Sequence, residues 1–380
     1  MHPPALMPLS DAEVSVQRSA PRRVWLVIGD KLGDNAQVEI VADALGWPTE
    51  RKVMRFLSQY QTGKPPFRPS LYHIDRNASD PLAPPWPDLV LTVGRRPSMA
   101  AMWVRQQAAG KTKVVIVGRP RRMLREFDLV LATPQYRLPE RPNVMRLALP
   151  LMRVDPAKVE AGAAAWRERL APLARPLTAV LVGGPTKPFV FDAAVARNFV
   201  AALRRSTAGE GSLFVTTSRR TPPPVVDAIA AELPPGSELF RWRPDATDNP
   251  YHGLLALADR FVVTGDSVSM LVEVARLGKP LAIFPLPVAG GLWPGLKKRL
   301  ADVFQPAPGD GHAGPLTRLG DLLYDAGLVG YSREFEAVHG RLVDGGFAVM
   351  LGESFRRSSD QAPDDVAEVA RRIRGMFTGG

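Results

Sequence analysis

Residues 261–286 read FVVTGDSVSMLVEVARLGKPLAIFPL. This stretch predicts a strand, a tight turn, a helix, a glycine stop and a second strand. Phe261, Val262 and Val263 form a short apolar run. Thr264-Gly265-Asp266-Ser267 is a turn that can open a helix, with Asp266 or Ser267 as N-cap. Val268, Leu271, Val272 and Ala275 recur at i, i+3, i+4 and i+7, so one helix face is buried. Gly278 ends the helix, and Lys279-Pro280 keeps it from resuming. Residues 281–284 are the next buried strand. The opposite helix face carries Ser269, Glu273 and Arg276. A helix start bearing small polar residues offers N–H groups and a positive dipole end to an anion. A carboxylate about one and a half turns further in can accept hydrogen bonds from sugar hydroxyls. Together these suit the phosphate and the ribose of one nucleotide. The plain alternative is an ordinary βαβ unit with a solvated glutamate, and the pattern alone does not choose between them.

The same unit repeats upstream. Residues 178–182 predict a strand, and Gly183-Gly184-Pro185-Thr186-Lys187 is its loop. A glycine pair with a hydroxyl and a cation just beyond can cradle a diphosphate. A helix is expected over 192–205 and a strand over 212–217. That strand leads into Ser218-Arg219-Arg220-Thr221, whose guanidinium groups match phosphate oxygens. A helix over 225–233, a strand over 238–242 and a short helix over 251–258 complete this half. Three rim elements therefore converge: Gly183-Gly184, Ser218-Arg219 and the run from Asp266 to Glu273.

The N-terminal half has the same grammar. Strands are expected over 23–28, 50–56, 89–93, 113–117, 127–131 and 143–147. The recurring form is a strand that ends in a short loop carrying Gly, Arg, Ser or Thr. The first loop, residues 29–35, reads GDKLGDN, with a helix expected over 36–45. It is neither GxGxxG nor GxxxxGK[ST], so no dinucleotide or P-loop motif is present. Asp30 and Asp34 lie where open α/β sheets place their ligands, and either can serve as a general base. Turn and capping chemistry is the plain alternative, since Asp favours both. Residues 57–87 form a long irregular segment of the kind that often becomes a lid or binding loop.

The predicted fold is α/β: two Rossmann-like, doubly wound parallel-sheet domains facing a cleft. Residues 1–20 are expected to be a disordered tail. The N-terminal domain spans 21–150, a linker with one helix 151–176, and the C-terminal domain 177–345. Residues 346–380 supply a terminal helix, expected over 363–377, that packs back across the pair.

Composition narrows the function classes. The chain of 380 residues is 45% hydrophobic and has no cysteine, which removes disulfides, thiolate metal sites and a Cys nucleophile. Five scattered His residues without HxxxH spacing argue against a zinc site. The net charge of +11 favours anionic partners. Its arginines are dispersed rather than gathered with aromatics, so nucleic acid is not the expected partner. An anionic membrane surface fits the charge better. No run of 18 apolar residues predicts a spanning helix, and the N-terminus lacks the apolar core of a signal peptide. The expected location is cytoplasmic, with docking at the inner membrane face.

Several longer strings are distinctive. GDKLGDNAQ (29–37), PWPDLVLTVGRR (85–96), FDLVLATPQYRLP (127–139), VLVGGPTKPF (180–189), LFVTTSRRTP (213–222) and VVTGDSVSMLVEVARLGKP (262–280) resemble the Elongated Mitochondria fission factor family of plants and its bacterial relatives. The C-terminal half also resembles GT-B glycosyltransferases. Among these it is most similar to the peptidoglycan enzyme that adds N-acetylglucosamine to a lipid-linked acceptor. This resemblance implies a nucleotide-diphosphate sugar donor, no required cofactor and no metal. It implies that Gly183, Gly184 and Thr186 lie at the diphosphate loop, Ser267 and Ser269 at the phosphate-facing helix start, and Glu273 at the ribose-binding carboxylate. Lys187, Ser218, Arg219 and Asp266, on the same rim elements, are added to the expected donor site from the residues themselves. The loop over 29–35 falls where the acceptor side carries its base. The lipid-linked enzyme has a His there, whereas this chain has Asp34 and Asn35, which leaves the base open. The favoured function is metal-independent glycosyl transfer. A non-catalytic membrane adaptor that keeps a nucleotide pocket is the alternative, and a nucleotide-sugar epimerase is a weaker third.

Overall fold

The computed structural model describes residues 21–61, 66–120, 123–289, 315–326 and 333–378. The expected tail over 1–20 lies outside the described residues. Two six-stranded sheets, both wholly parallel, organise the chain. The first contains β1 (Val24–Ile28), β2 (Thr49–Val53), β3 (Leu89–Val93), β4 (Lys113–Val117), β5 (Leu129–Ala132) and β6 (Val144–Arg146), ordered β2-β1-β3-β4-β5-β6. The second contains β7 (Leu177–Val182), β8 (Ser212–Thr217), β9 (Glu238–Phe240), β10 (Arg260–Thr264), β11 (Leu281–Phe284) and β12 (Val349–Met350), ordered β12-β11-β10-β7-β8-β9. Each order reverses once, between β1 and β3 and between β7 and β10. Those reversals make both sheets doubly wound, and ligand crevices open at such points. Each half is a Rossmann-like α/β unit built on a doubly wound parallel sheet.

Alternation within the strands builds a core on each sheet face. Val24, Leu26 and Ile28 of β1 join one apolar cluster, while Trp25 and Val27 join the other. In the second sheet, Leu181 and Val263 point into one cluster and Val180, Val182 and Val262 into its counterpart. Central strands buried on both faces read as near-continuous apolar runs, which is why they are visible in the sequence.

The helices follow from local signals. Helix α1 (Leu32–Leu45) ends at Gly46, whose φ of 65° is left-handed. It begins four residues earlier than expected, so the loop after β1 shrinks to Gly29, Asp30 and Lys31. The Asn35 side chain donates to the Gly29 carbonyl at 2.9 Å, folding the polar run into the helix start. A short helix, α2 (Ser58–Gln61), follows β2, and α3 (Arg95–Gln107) follows β3. The described part of the long irregular segment lies against the first domain's core, with Phe67 and Ile74 buried in it.

Helix α4 (Pro156–Leu170) opens at Asp155, whose carboxylate accepts from the N–H groups of Ala157 and Lys158. It packs on α7 (Tyr251–Leu257) with almost no space between backbones. A Cβ built on Gly162 would lie 2.6 Å from the Gly253 nitrogen. Helices α5 (Ala193–Thr207) and α6 (Pro223–Glu232) cover β7 and β8, and α8 (Val268–Arg276) follows β10.

The chain then passes between the halves. Helix α9 (Pro315–Asp325) places Tyr324, 1% exposed, in the core of the first domain, where its hydroxyl donates to the Pro120 carbonyl. Helix α10 (Phe335–Asp344) returns to the second sheet. Helix α11 (Val366–Gly375) buries Val366, Val369, Ala370 and Ile373 against Val38, Val41 and Leu45 of α1.

Candidate functional site

The carboxyl ends of β7 and β10 are neighbours at the reversal of the second sheet, and their loops interlock. The Gly183 N–H donates to the Thr264 hydroxyl at 2.8 Å, and the Gly184 N–H to Asp266 Oδ2 at 2.9 Å. Both glycine N–H groups are thus committed to protein acceptors. This differs from the expectation that they cradle a diphosphate. Their contribution is close approach. A Cβ on Gly183 would lie 2.0 Å from Ser267 Oγ, and one on Gly184 2.1 Å from the Arg220 carbonyl oxygen.

Asp266 is the hub of this knot. Only 3% exposed, it also accepts from the Thr264 hydroxyl at 2.8 Å and the Ser267 hydroxyl at 3.3 Å. Arg220 lies 3.8 Å away. Burial pushes its carboxyl above the usual range, against the pull of Thr264, the Gly184 N–H and Arg220. Asp266 is therefore a structural acceptor and not a helix cap.

Ser267 occupies the N-cap position of α8, but no side chain caps the helix. Its hydroxyl is turned to Asp266. The first N–H groups of α8 are left to an outside acceptor, with the dipole aiding an anion. Ser269 is half-buried on the first turn. Arg220 reaches across from the loop after β8 and donates to the Thr186 hydroxyl at 2.5 Å. Thr221 donates to the Gly183 carbonyl at 2.5 Å, and Ser218 lies 3.0 Å from Thr221, hydroxyl to hydroxyl. Lys187 and Arg219 are exposed at the rim. Behind the turn, His339 of α10 meets the Gly265 carbonyl at 2.7 Å, and a Cβ on Gly265 would lie 2.7 Å from its ring. Burial lowers the pKa of His339, favouring the neutral ring.

Glu273 lies on the second turn of α8. Its Oε2 accepts from the hydroxyl of Tyr251, the first residue of α7. Burial raises the Glu273 carboxyl, opposed by that hydrogen bond. Burial, and then the Glu273 charge, push the Tyr251 phenol well above its ordinary value.

The first domain contributes from the other side. Asp34 lies in the first turn of α1 and is half-buried, while Asp30 is exposed at the end of β1. Tyr136, in the loop after β5, has Arg119 at 5.6 Å and Arg333 at 5.5 Å from its ring centre. Burial raises the Tyr136 phenol first. Arg333 and Arg119 pull it down, and the Asp34 charge pushes it up. Asp34, Tyr136 and Arg333 thus share one electrostatic neighbourhood at the seam, Arg333 entering α10 from the second half. Asp30 instead acts on Arg96. The seam is held by Arg137, which donates to Glu334 Oε2 at 2.7 Å, and by the Glu334 N–H, which donates to the Gln135 carbonyl at 3.0 Å.

The family model for mitochondrial fission ELM1 matches residues 33–304, from the first turn of α1 past the cradle at the second sheet. The chain belongs to the mitochondrial fission ELM1 family. It is 30% identical over 220 residues to the mitochondrial fission protein ELM1 of Arabidopsis thaliana, covering 52% of this chain. That alignment spans about half of the plant protein, 51% of its length. The uncharacterized protein RP120 of Rickettsia prowazekii is 26% identical over 306 residues, 70% of this chain and 83% of that protein. Among solved structures, a glycosyltransferase from Rickettsia africae is similar with a TM-score of 0.44 and 11% identity. That match covers 94% of this chain and 98% of the other.

In this ELM1-family chain, sequence reasoning gave no role to three residues that organise the cradle, Thr264, Thr221 and His339. Thr264 accepts from and Thr221 donates to the loop backbone, and His339 arrives from a distant helix. Of the two arginines named at the strand tip, Arg220 is the one that reaches Thr186. Tyr251 was also missed, since nothing local links it to Glu273. Among the described residues, no group of three or more His, Cys, Asp or Glu is placed to hold a metal ion. None of the described helices is long and apolar enough to cross a membrane.

Proposed function

We propose that this chain is a metal-independent glycosyltransferase that uses a nucleotide-diphosphate sugar. One observation carries the reading: α8 starts uncapped at the β7/β10 reversal, with Arg220 and Thr186 beside it. The diphosphate would lie on the first N–H groups of α8 near Ser267 and Ser269, flanked by Thr186, Lys187, Arg219 and Arg220. Glu273, further along the same helix, would take the ribose hydroxyls.

The acceptor would enter from the first domain. Asp34 would remove the proton of an acceptor hydroxyl, whose oxygen then attacks the anomeric carbon of the donor. The bond from that carbon to the diphosphate oxygen breaks, and the diphosphate leaves with the electron pair. The helix dipole and the arginines would stabilise its charge. Asp30 is the second choice of base. The net charge of +11 supports docking on an anionic membrane that carries the acceptor.

The test is turnover. The full chain is incubated with UDP-, GDP-, CDP-, TDP- and ADP-sugars, and nucleoside diphosphate release is measured with and without anionic vesicles. Release that Asp34→Asn reduces at least about a hundredfold supports the proposal. Tight nucleotide binding with no donor consumed would instead favour a non-catalytic adaptor.

A further inference from the structure

We infer that Arg276 is the pin of a hinge between the two halves, about which the cleft opens by parting the seam at Arg137 and Glu334. The inference is independent of what the cradle binds.

Arg276 shares the polar face of α8 with Ser269 and Glu273, yet it has no place in the cradle. It lies nine residues beyond Ser267, about 13 Å along the helix. Its side chain is only 11% exposed. Leu271, Val272, Val274 and Ala275 are buried in the core of the second domain and fix α8 to that half. What the guanidinium reaches belongs to neither half alone. One terminal nitrogen donates to the Met152 carbonyl. The other donates to the Pro363 carbonyl at 3.1 Å and lies 3.7 Å from Asp364 Oδ1.

Met152 and Pro363 lie on two of the passages of the chain between the halves. On the first, Leu147 and Leu151 are buried in a cluster of the first domain, while Leu149 and Met152 are buried in one of the second. On the other, Ala362 belongs to the second domain's cluster and Val366, at the start of α11, to the first domain's. The two passages are also bound to each other. The Ala148 N–H donates to Asp365 Oδ2 at 2.6 Å, and Arg153 lies 3.4 Å from Asp364 Oδ2. Rotation of one domain against another is absorbed by a few residues at the ends of elements, and these two short passages are such residues. The planar guanidinium fork holds both of them at a fixed spacing, which a point-charge ammonium does not.

The far side of the cleft is joined differently. There Arg137 pairs with Glu334, and the Glu334 N–H donates to the Gln135 carbonyl. Polar contacts between domains part readily, so rotation about the pinned waist opens the cleft at this seam.

The chain has no cysteine, so Gln107→Cys on α3 and Arg204→Cys on α5 place one spin label on each half. The experiment measures the distance between the labels by pulsed electron spin resonance, and hydrogen exchange on the full chain without ligand. Glu334→Ala should shift the distance distribution and leave exchange over 147–153 and 362–366 as in the wild type. Arg276→Ala should broaden the distribution and speed exchange in both passages together, about tenfold or more, while β7 and β10 stay protected. Arg276→Lys keeps the charge and most of the stem and should fall between. Arg153→Ala removes only the exposed partner of Asp364 and should change neither readout. Faster exchange in one passage alone, or equally throughout the second sheet, overturns the role of Arg276. A distance distribution that neither Glu334→Ala nor Arg276→Ala alters overturns the hinge.

Discussion

The backbone N–H of Gly184 donates to the carboxylate of Asp266 at 2.9 Å, tying the loop after β7 to the loop after β10. Eighty-two positions apart in the chain, these residues bring together the two strand ends where the second sheet reverses. The bond fixes the turn that starts α8, and so fixes where its free N–H groups point.

Gly183 has no room for a side chain. Gly183→Ala would push a methyl group to 2.0 Å from Ser267 Oγ and 2.4 Å from Asp266 Oδ2. The loops must part, at a cost of about 1–3 kcal/mol or more. Chemical denaturation should show that loss, and nucleotide binding should fall further than the loss of stability accounts for.

Asp266 predicts a specific pH dependence. Its folded pKa is raised by burial, so the folded state favours the protonated acid relative to the unfolded chain. Its contribution to stability is therefore fullest below the unfolded value of about 3.9, and it is lost as pH rises through the folded pKa. Asp266→Asn removes that titration. The stability of wild type minus Asp266→Asn should decline as pH is raised from about 4 toward neutrality. A difference that is flat or rises with pH would contradict the assignment.

The seam between the halves has its own test. Arg137 and Glu334 pair at 2.7 Å with side chains 13% and 25% exposed, more sheltered than the surface pairs of this chain. A double-mutant cycle with Arg137→Ala and Glu334→Ala should give a coupling of about 0.5–3 kcal/mol. An exposed pair such as Arg241 and Asp227 should give about 0–1 kcal/mol.

The fold was largely legible, because parallel strands buried on both faces announce themselves as apolar runs. Val24 to Ile28 and Phe261 to Val263 are of this kind. Strand β12, two residues long, carries no pattern of its own and is a strand only because β11 lies beside it. The start of α1 was misjudged because GDKLGDN has turn composition. It is helical because Asn35 folds back on Gly29 and Asp34 favours the positive helix end. At the site, Glu273 stood out by its place on the polar face of α8. The distinction between Arg219 and Arg220 depends on which way a strand tip turns, and spacing does not encode that. Tyr251 and His339 reach the site from other helices, so no local window holds the signal.

The central claim is that the cradle between β7 and β10 holds a nucleoside diphosphate. Isothermal titration of the full chain with UDP, GDP, CDP, TDP and ADP tests it most directly, with Glu273→Ala as control. The account predicts that one nucleotide binds, that it stabilises the fold by about 2.7 kcal/mol at a hundred times its dissociation constant, and that Glu273→Ala loses at least tenfold in affinity. Absence of binding by all five at millimolar concentration, or binding that Glu273→Ala leaves untouched, would contradict it.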